Sequence, residues 1–332
     1  MKIRFCRKYF KQASGPKNAL FAVRRFFRGH QMKMTGKSCD TIKKVWVIST
    51  MLGLDSDQGE CKMYKLIAID MDGTLLNDLH EVTEEVQNAL HAAKKQGVKI
   101  VLCTGRPLGG VSRYLEELNL NEDGDYVIAY NGALVQNTHT QEVVSELTLG
   151  YDDVKSLYEL SQKLDTPMHF FDSAYLYTPN REISPYTVYE SYVTKVPLRF
   201  RTIEEIPKDL LAPKVMYIDE PEKLDRTIAA IPEDIKERYT MVKSSPFFYE
   251  ILHPAASKGN AVQQLADILG IAQEEVICIG DNGNDMSMIE WAGCGVAMGN
   301  AIPEVKASAD YETRTNNENG VAHAIHELVL SK

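Results

Sequence analysis

Residues 65–76 read KLIAIDMDGTLL. The run Leu66 to Ile69 is apolar at consecutive positions, the pattern of a strand covered on both faces in a parallel sheet. At its end stands Asp70, and two positions later Asp72, followed by Gly73 and Thr74. Side chains at i and i+2 of a strand share a face, so a strand continuing to Asp72 would hold two carboxylates side by side. Like charges that close disfavour joint ionisation. Such a pair at a strand end calls for a compensating partner.

The chain on either side has the texture of alternating strands and helices. HEVTEEVQNALHAAKKQG (80–97) predicts a helix with Thr83 as N-cap, Glu84 and Glu85 at its positive end and Lys94 and Lys95 in its last turn. Val86, Ala89, Leu90 and Ala93 form its apolar stripe, and Gly97 stops it. KIVLCT (99–104) reads as a second buried strand, RPLGGVSRYLEELNL (106–120) as a helix with Pro107 near its start, and YVIAYNG (126–132) as a third strand. Beyond about residue 150 the pattern turns mixed and Tyr-rich, with strands at MHFFD, AYLYTP, KVMYID and a hairpin-like TMVKSS…FFYEIL among helices. From Ser257 the first texture returns: SKGNAVQQLADILG, EVICIGD, DMSMIEWAG, GVAMG. The fold class expected is α/β: a doubly wound, mainly parallel, Rossmann-like core with an inserted α+β cap domain. Residues 63–148 and 253–332 would form the core and 149–252 the cap.

Charge divides the chain unevenly. Residues 1–62 carry 14 Lys/Arg against 4 Asp/Glu, whereas the remainder carries 23 against 42. An acidic body argues against nucleic acid as a partner, since phosphate backbones are held by positive charge. The basic start is too irregular for a core, and its one apolar stretch, about ten residues from Val45 to Leu54, is half the ~20 needed to span a bilayer. We read 1–62 as an extension outside the fold, with Met63 as a candidate start, and expect no membrane partner. The six cysteines are scattered; Cys103 and Cys278 lie in apolar runs and read as reduced core thiols, which suits a cytoplasmic location.

Ligands of open α/β sheets bind outside the carboxyl ends of the strands. Four polar loops fall there: Asp70-Met71-Asp72-Gly73-Thr74, Thr104-Gly105-Arg106, Ser257-Lys258-Gly259 and Asp281-Asn282-Gly283-Asn284-Asp285. Carboxylates converging with one Lys suit a hard divalent cation, because Mg²⁺ takes one or two carboxylates together with substrate phosphate. Asp70 and Asp281 are the candidate ligands, and Lys258 and Thr104 are placed for phosphate oxygens. A calcium loop is excluded, since the sixth position counted from Asp281 is Met286 rather than Gly. Asn131-Gly132 is read either as a turn or as a substrate contact.

DMDGT, a Thr after the second strand, a Lys opening a late helix and GDNGND, in that order, resemble the four motifs of the haloacid dehalogenase-like (HAD) hydrolases. YNGA after the third strand and the long insertion resemble the Cof-type branch. LIAIDMDGTLL, TGRP, EIL, GVAM and NAIP are most like the bacterial YidA-like sugar phosphatases. The resemblance covers 63–332. It implies Asp70 as nucleophile and Asp72 as general acid and base, with Mg²⁺ between Asp70, Asp281 and the Asp72 backbone carbonyl. It implies Asp285 as support for the metal site, and Thr104, Lys258, Asn284 and the N–H groups of Met71 and Gly105 around the phosphoryl. Arg106 and Asn131 are supporting candidates. The implied activity is Mg²⁺-dependent hydrolysis of a small phosphorylated metabolite, with a phosphomutase and a non-catalytic sugar-phosphate sensor as alternatives; a homodimer stays open.

Overall fold

A computed structural model describes residues 63–331, so the basic extension, with Cys6, Cys39 and Cys61, lies outside the described residues. In chain order the first part comprises β1 (Leu66–Ile69), α1 (Glu84–Lys95), β2 (Lys99–Cys103), α2 (Ser112–Glu117), β3 (Tyr126–Ala129), β4 (Leu134–Asn137) and β5 (Val143–Glu146). Then come α3 (Tyr151–Lys163), β6 (Met168–Phe171), β7 (Leu176–Thr178), α4 (Pro185–Thr194), β8 (Leu198–Phe200), β9 (Val215–Ile218), α5 (Pro221–Ala230), α6 (Glu233–Arg238), β10 (Thr240–Ser245) and β11 (Phe248–Leu252). The last part is α7 (Lys258–Leu269), β12 (Val276–Gly280), α8 (Met286–Trp291), β13 (Cys294–Ala297), α9 (Pro303–Ser308), β14 (Tyr311–Glu312) and α10 (Gly320–Ile325).

Eight strands form one sheet in the order β14-β13-β12-β1-β2-β3-β4-β5. β1 pairs in parallel with β2 on one side and β12 on the other, Leu66 facing Lys99 and Val276. The chain winds outward from β1 in one direction and from β12 in the other, so the switch point lies between these two strands. Ligands bind at the carboxyl ends of strands flanking such a point. The parallel strands run as continuous apolar segments because both their faces are covered: LIAI of β1 and VICIG of β12 are buried throughout. Cys103, Cys278 and Cys294 are buried thiols within this core.

α1 forms as its sequence dictates. Thr83 Oγ1 accepts from the Val86 N–H, the four apolar stripe residues are buried, and Gly97 takes φ +85° just beyond the end. Two details depart from expectation. The helix at 106–120 is broken: Pro107 leads a 3₁₀ turn at Leu108–Gly110, and only Ser112–Glu117 is α-helical. Gly109 and Gly110 weaken any helix through them, and the Gly110 carbonyl accepts from Arg106 Nη1 instead. β4 and β5 extend the sheet with antiparallel pairing; LVQN and VVSE are too short and too polar to announce themselves.

The second sheet has the order β10-β11-β9-β6-β7-β8 and is mostly antiparallel. Its strands alternate between two destinations, as period-2 side chains must. Met168, Phe170, Val215, Tyr217, Tyr249 and Ile251 pack under α3 and α5, with Val154, Leu157 and Leu224. Phe171, Met216, Ile218, Phe248 and Leu252 face the other way and pack against Ala129, Tyr130, Ala133 and Leu134 of the first sheet. Each large side chain buried there stabilises the contact by about 1.5–3 kcal/mol. This face lies over the end of β3, next to the loops that carry the polar motifs.

Candidate active site

β1 ends at Ile69, so Asp70 and Asp72 are not consecutive members of one strand face. The side-by-side pair expected from the spacing is therefore corrected: the chain turns after Asp70 and sends the two carboxylates to different partners. Asp70 is buried, and its Oδ1 accepts from Lys258 Nζ at 2.5 Å. The Asp72 side chain is 49% exposed and is gripped by Arg106, whose Nε and Nη2 lie 2.8 and 2.5 Å from its two oxygens. His80 Nδ1 stands 3.8 Å from the same carboxylate.

Lys258 is 0% exposed and opens α7 directly after its N-cap Ser257, whose side chain accepts from Asn260 N–H. A second bond joins Lys258 Nζ to Asp285 Oδ1 at 2.6 Å. The other Asp285 oxygen accepts from the backbone N–H groups of Asp281 and Asn282, at 2.9 and 3.0 Å. Thr74 Oγ1 donates to Asp281 Oδ1 at 2.8 Å. Gly73 makes this approach possible: it has φ +79°, and a Cβ there would stand 2.7 Å from Asp281 Oδ2.

Oxygens of Asp70, Asp281 and Asp285 come within 4.8 Å of one another. One ammonium among three carboxylates leaves a surplus of negative charge. Burial and the neighbouring Asp285 push Asp70 well above the usual carboxylate range and Asp281 up to about 6. Asp285 and Asp70 in turn push the Lys258 ammonium up, against the effect of its burial. An all-oxygen, net-negative donor set fits a hard divalent cation such as Mg²⁺. Asp70 and Asp281, both expected as ligands, are in the cluster, and Asp285 joins them; the Asp72 side chain stands apart, engaged by Arg106.

The remaining residues collect around the ends of β2 and β3. Thr104 is fully buried, and its hydroxyl accepts from the Arg106 N–H at 3.1 Å while its carbonyl accepts from the Asn131 N–H at 2.9 Å. Asn131 takes a left-handed backbone, φ 55°, and its Oδ1 accepts from Asn284 Nδ2 at 3.0 Å. Asn131-Gly132 is thus a turn, and its side chain also meets the site loops. A Cβ on Gly132, φ +94°, would fall 2.2 Å from the Ser257 carbonyl oxygen, so this turn and the start of α7 are in backbone contact. Met71 is buried, and its carbonyl accepts from Leu76 N–H at 2.9 Å.

Sequence reasoning placed Thr74 in a site loop without a role, and missed Lys214, Glu190 and Glu250. Lys214 and Glu250 carried a signal, a charge at the head of the apolar run VMYI and one inside FFYEIL. Charged side chains are almost never fully buried unless paired, so each of these predicted a partner.

A family model described as haloacid dehalogenase-like hydrolase matches residues 67–325. YxeH of Bacillus subtilis (strain 168) is 77% identical over 270 residues, covering 81% of this chain and all of that protein. Phosphatase YwpJ of the same organism is 33% identical over 297 residues, covering 80% of this chain and 100% of its own. Among solved structures, a haloacid dehalogenase-like hydrolase from Bacteroides thetaiotaomicron superposes with a TM-score of 0.71 at 34% identity, covering 80% of this chain and 99% of that one. The HAD subclass IIB sugar phosphatase BT4131 superposes with a TM-score of 0.66 at 27% identity, covering 79% and 98%. With the family model matched across most of its length, the four loops in order and the fold in common, the chain belongs to the haloacid dehalogenase-like hydrolases.

Proposed function

We propose that the protein is a Mg²⁺-dependent phosphatase that hydrolyses small phosphate monoesters, sugar phosphates foremost, through an aspartyl-phosphate intermediate. One observation carries the reading: two carboxylates two residues apart stand in opposite environments. Asp70 is buried on Lys258, and Asp72 is half exposed on Arg106. Paired titratable groups in divergent environments mark divided roles. The phosphatase names of YwpJ and BT4131 support the same class.

Asp70 is the nucleophile: a carboxylate oxygen bonds to phosphorus as the ester P–O bond breaks, and the leaving alkoxide takes a proton from Asp72. In the second half Asp72 accepts a proton from water, whose oxygen attacks phosphorus and returns Asp70 and inorganic phosphate. Lys258 orients the Asp70 carboxylate, and Thr104, Asn284 and the Met71 and Gly105 N–H groups hold the phosphoryl oxygens. Charge on those oxygens is met by fixed donors in a buried site, where positioning and electrostatics supply most of the rate. Asp70, Asp281 and the Asp72 carbonyl would hold Mg²⁺, with Asp285 in support. The ion would offset the surplus negative charge and screen the phosphoryl from the nucleophile. The core, 63–148 with 253–332, carries this chemistry, and the segment 149–252 selects the leaving group.

The test has two readouts. Purified protein with Mg²⁺ is expected to hydrolyse an aryl phosphate, and EDTA to stop it. Without substrate, Mg²⁺ at about 100 times its Kd is expected to stabilise the fold by roughly 2.7 kcal/mol, and Asp281→Asn to lose most of that rise in Tm. Hydrolysis indifferent to EDTA, or no metal-linked change in Tm, would remove the metal from this reading. Relative kcat/KM over hexose, pentose and tetrose phosphates then ranks substrates.

A further inference from the structure

Two charged residues interrupt the face of the second sheet that packs on the first. Met216, Ile218, Phe248 and Leu252 make that face apolar. Glu250 lies on it opposite Met216, and Lys214 is two residues ahead of Met216 on the same side. They are 3% and 1% exposed. A buried ion pair recovers its desolvation cost poorly, and an apolar pair of similar volume is often as stable. Stability alone gives little reason for the pair.

Both residues reach into the first sheet's loops. Lys214 Nζ donates to Glu250 Oε1 at 3.1 Å and to the Gly105 carbonyl at 3.4 Å, with Glu190 Oε1 3.8 Å away. Glu250 Oε2 accepts from Asn131 Nδ2 at 2.6 Å, and Asn131 Oδ1 accepts from Asn284 Nδ2 at 3.0 Å. A carboxylate only accepts, an ammonium only donates, and a primary amide does one at each end. An amide is nearly symmetric in shape, so its direction is decided by its partners. Glu250 compels Asn131 to present Nδ2 to it and Oδ1 to Asn284. Asn284 must answer with Nδ2. One carboxylate in the second sheet thus sets the direction of two amides beside the Asp281–Asp285 loop.

We propose that Glu250, anchored by Lys214, is a positioning residue that fixes the direction of the Asn284 amide at the phosphoryl site through Asn131. This rests on the phosphatase reading above. The inserted segment then completes the core's phosphoryl site as well as covering it.

Glu250→Gln tests the direction of the relay. Lys214 cannot accept, so the introduced glutamine must give it the amide oxygen and turn its N–H groups to Asn131. Asn131 then flips, and Asn284 is forced to present its oxygen where it presented nitrogen. With an aryl phosphate and Mg²⁺, kcat is expected to fall on the order of 10- to 100-fold, the usual cost of misplacing a catalytic group, with a smaller change in KM. Adding Lys214→Met removes the donor that forced the reversal. It leaves the Gly105 carbonyl and Glu190 in need of a donor, which the glutamine N–H groups supply. The Lys214→Met/Glu250→Gln protein is therefore expected to regain most of the lost kcat, whereas two merely structural defects would add.

Wild-type kcat in Glu250→Gln, or a double variant no faster than the single, overturns the relay. Should Glu250→Gln fail to fold, Asn131→Gly suits the φ of 55° and removes the middle of the relay; the same loss is expected, and wild-type kcat overturns the proposal. A wild-type protein inert toward phosphate esters would sink the phosphatase reading and this one with it. An active wild type with unaffected variants sinks the relay alone.

Discussion

Asp70→Asn is expected to abolish turnover and leave the protein as stable as before, or more so. The two effects have one origin. Asp70 is a buried carboxylate beside Asp285 and Asp281, and its pKa is raised because its charge is unwelcome there. An asparagine keeps the shape and can still accept a bond from Lys258, but it removes one of three crowded charges. It also removes the proposed nucleophile, which is expected to cost on the order of 10⁴-fold or more in kcat. Tm by calorimetry and hydrolysis of an aryl phosphate would be measured on the same preparation. Residual turnover near the wild-type rate would end the covalent mechanism. A large fall in Tm would show that the carboxylate is structural. Loss of function with retained stability is the usual signature of a strained catalytic group.

Lys258→Met is expected to do damage of both kinds. Its ammonium is the partner of Asp70 and Asp285, and all three groups are buried. Removing the ammonium leaves the surplus carboxylates of this cluster uncompensated, which costs about 3–5 kcal/mol. That lowers Tm by roughly 10 °C for a chain of this size. The deficit also depends on pH. Without the ammonium, the folded Asp70 pKa rises further above its unfolded value, so the folded state holds a proton that the unfolded state releases. Stability then falls as pH rises through that window, and the gap to wild type should be wider at about pH 8 than at about pH 5. Thermal unfolding at the two pH values, in EDTA, checks this. A Tm equal to wild type at both would mean that the three carboxylates are compensated by something other than Lys258.

Much of this was legible because local and global requirements agree. The α1 stripe, its cap and its stop are written in consecutive residues, and β1, β2, β3 and β12 are apolar enough to read as buried. The four loops could be gathered onto one edge because parallel strands put their carboxyl ends together. What could not be read was direction. The spacing of Asp70 and Asp72 suggested a shared strand face, but β1 ends before Asp70 and Arg106 draws Asp72 away. The partners of Asn131 also come from afar: Glu250 is 119 residues distant and Asn284 is 153. No local pattern encodes a pairing of that range. The Glu in FFYEIL and the Lys opening KVMYID call for buried partners, a signal the sequence reading passed over and one that does not say which partners.

The pairing of β1 with β12 also sets an order in time. Leu66 takes Val276 as its neighbour, whereas all six strands of the second sheet fall between residues 168 and 252. Translation at about 5–20 residues per second leaves roughly 10–40 s between the emergence of Asp70 and that of Asp281. During that interval the strand leading to Asp70 lacks one side of its sheet, while the inserted sheet already has every strand it needs. Ribosome-arrested chains that have just released residue 252 are therefore expected to protect 149–252 from protease and to leave 63–148 open to cutting. Protection of the earlier segment at that length would contradict the order. Asp70 is synthesised early and enclosed last, so the nascent chain lacks the assembled Asp70–Asp281–Asp285 cluster until its final quarter is made.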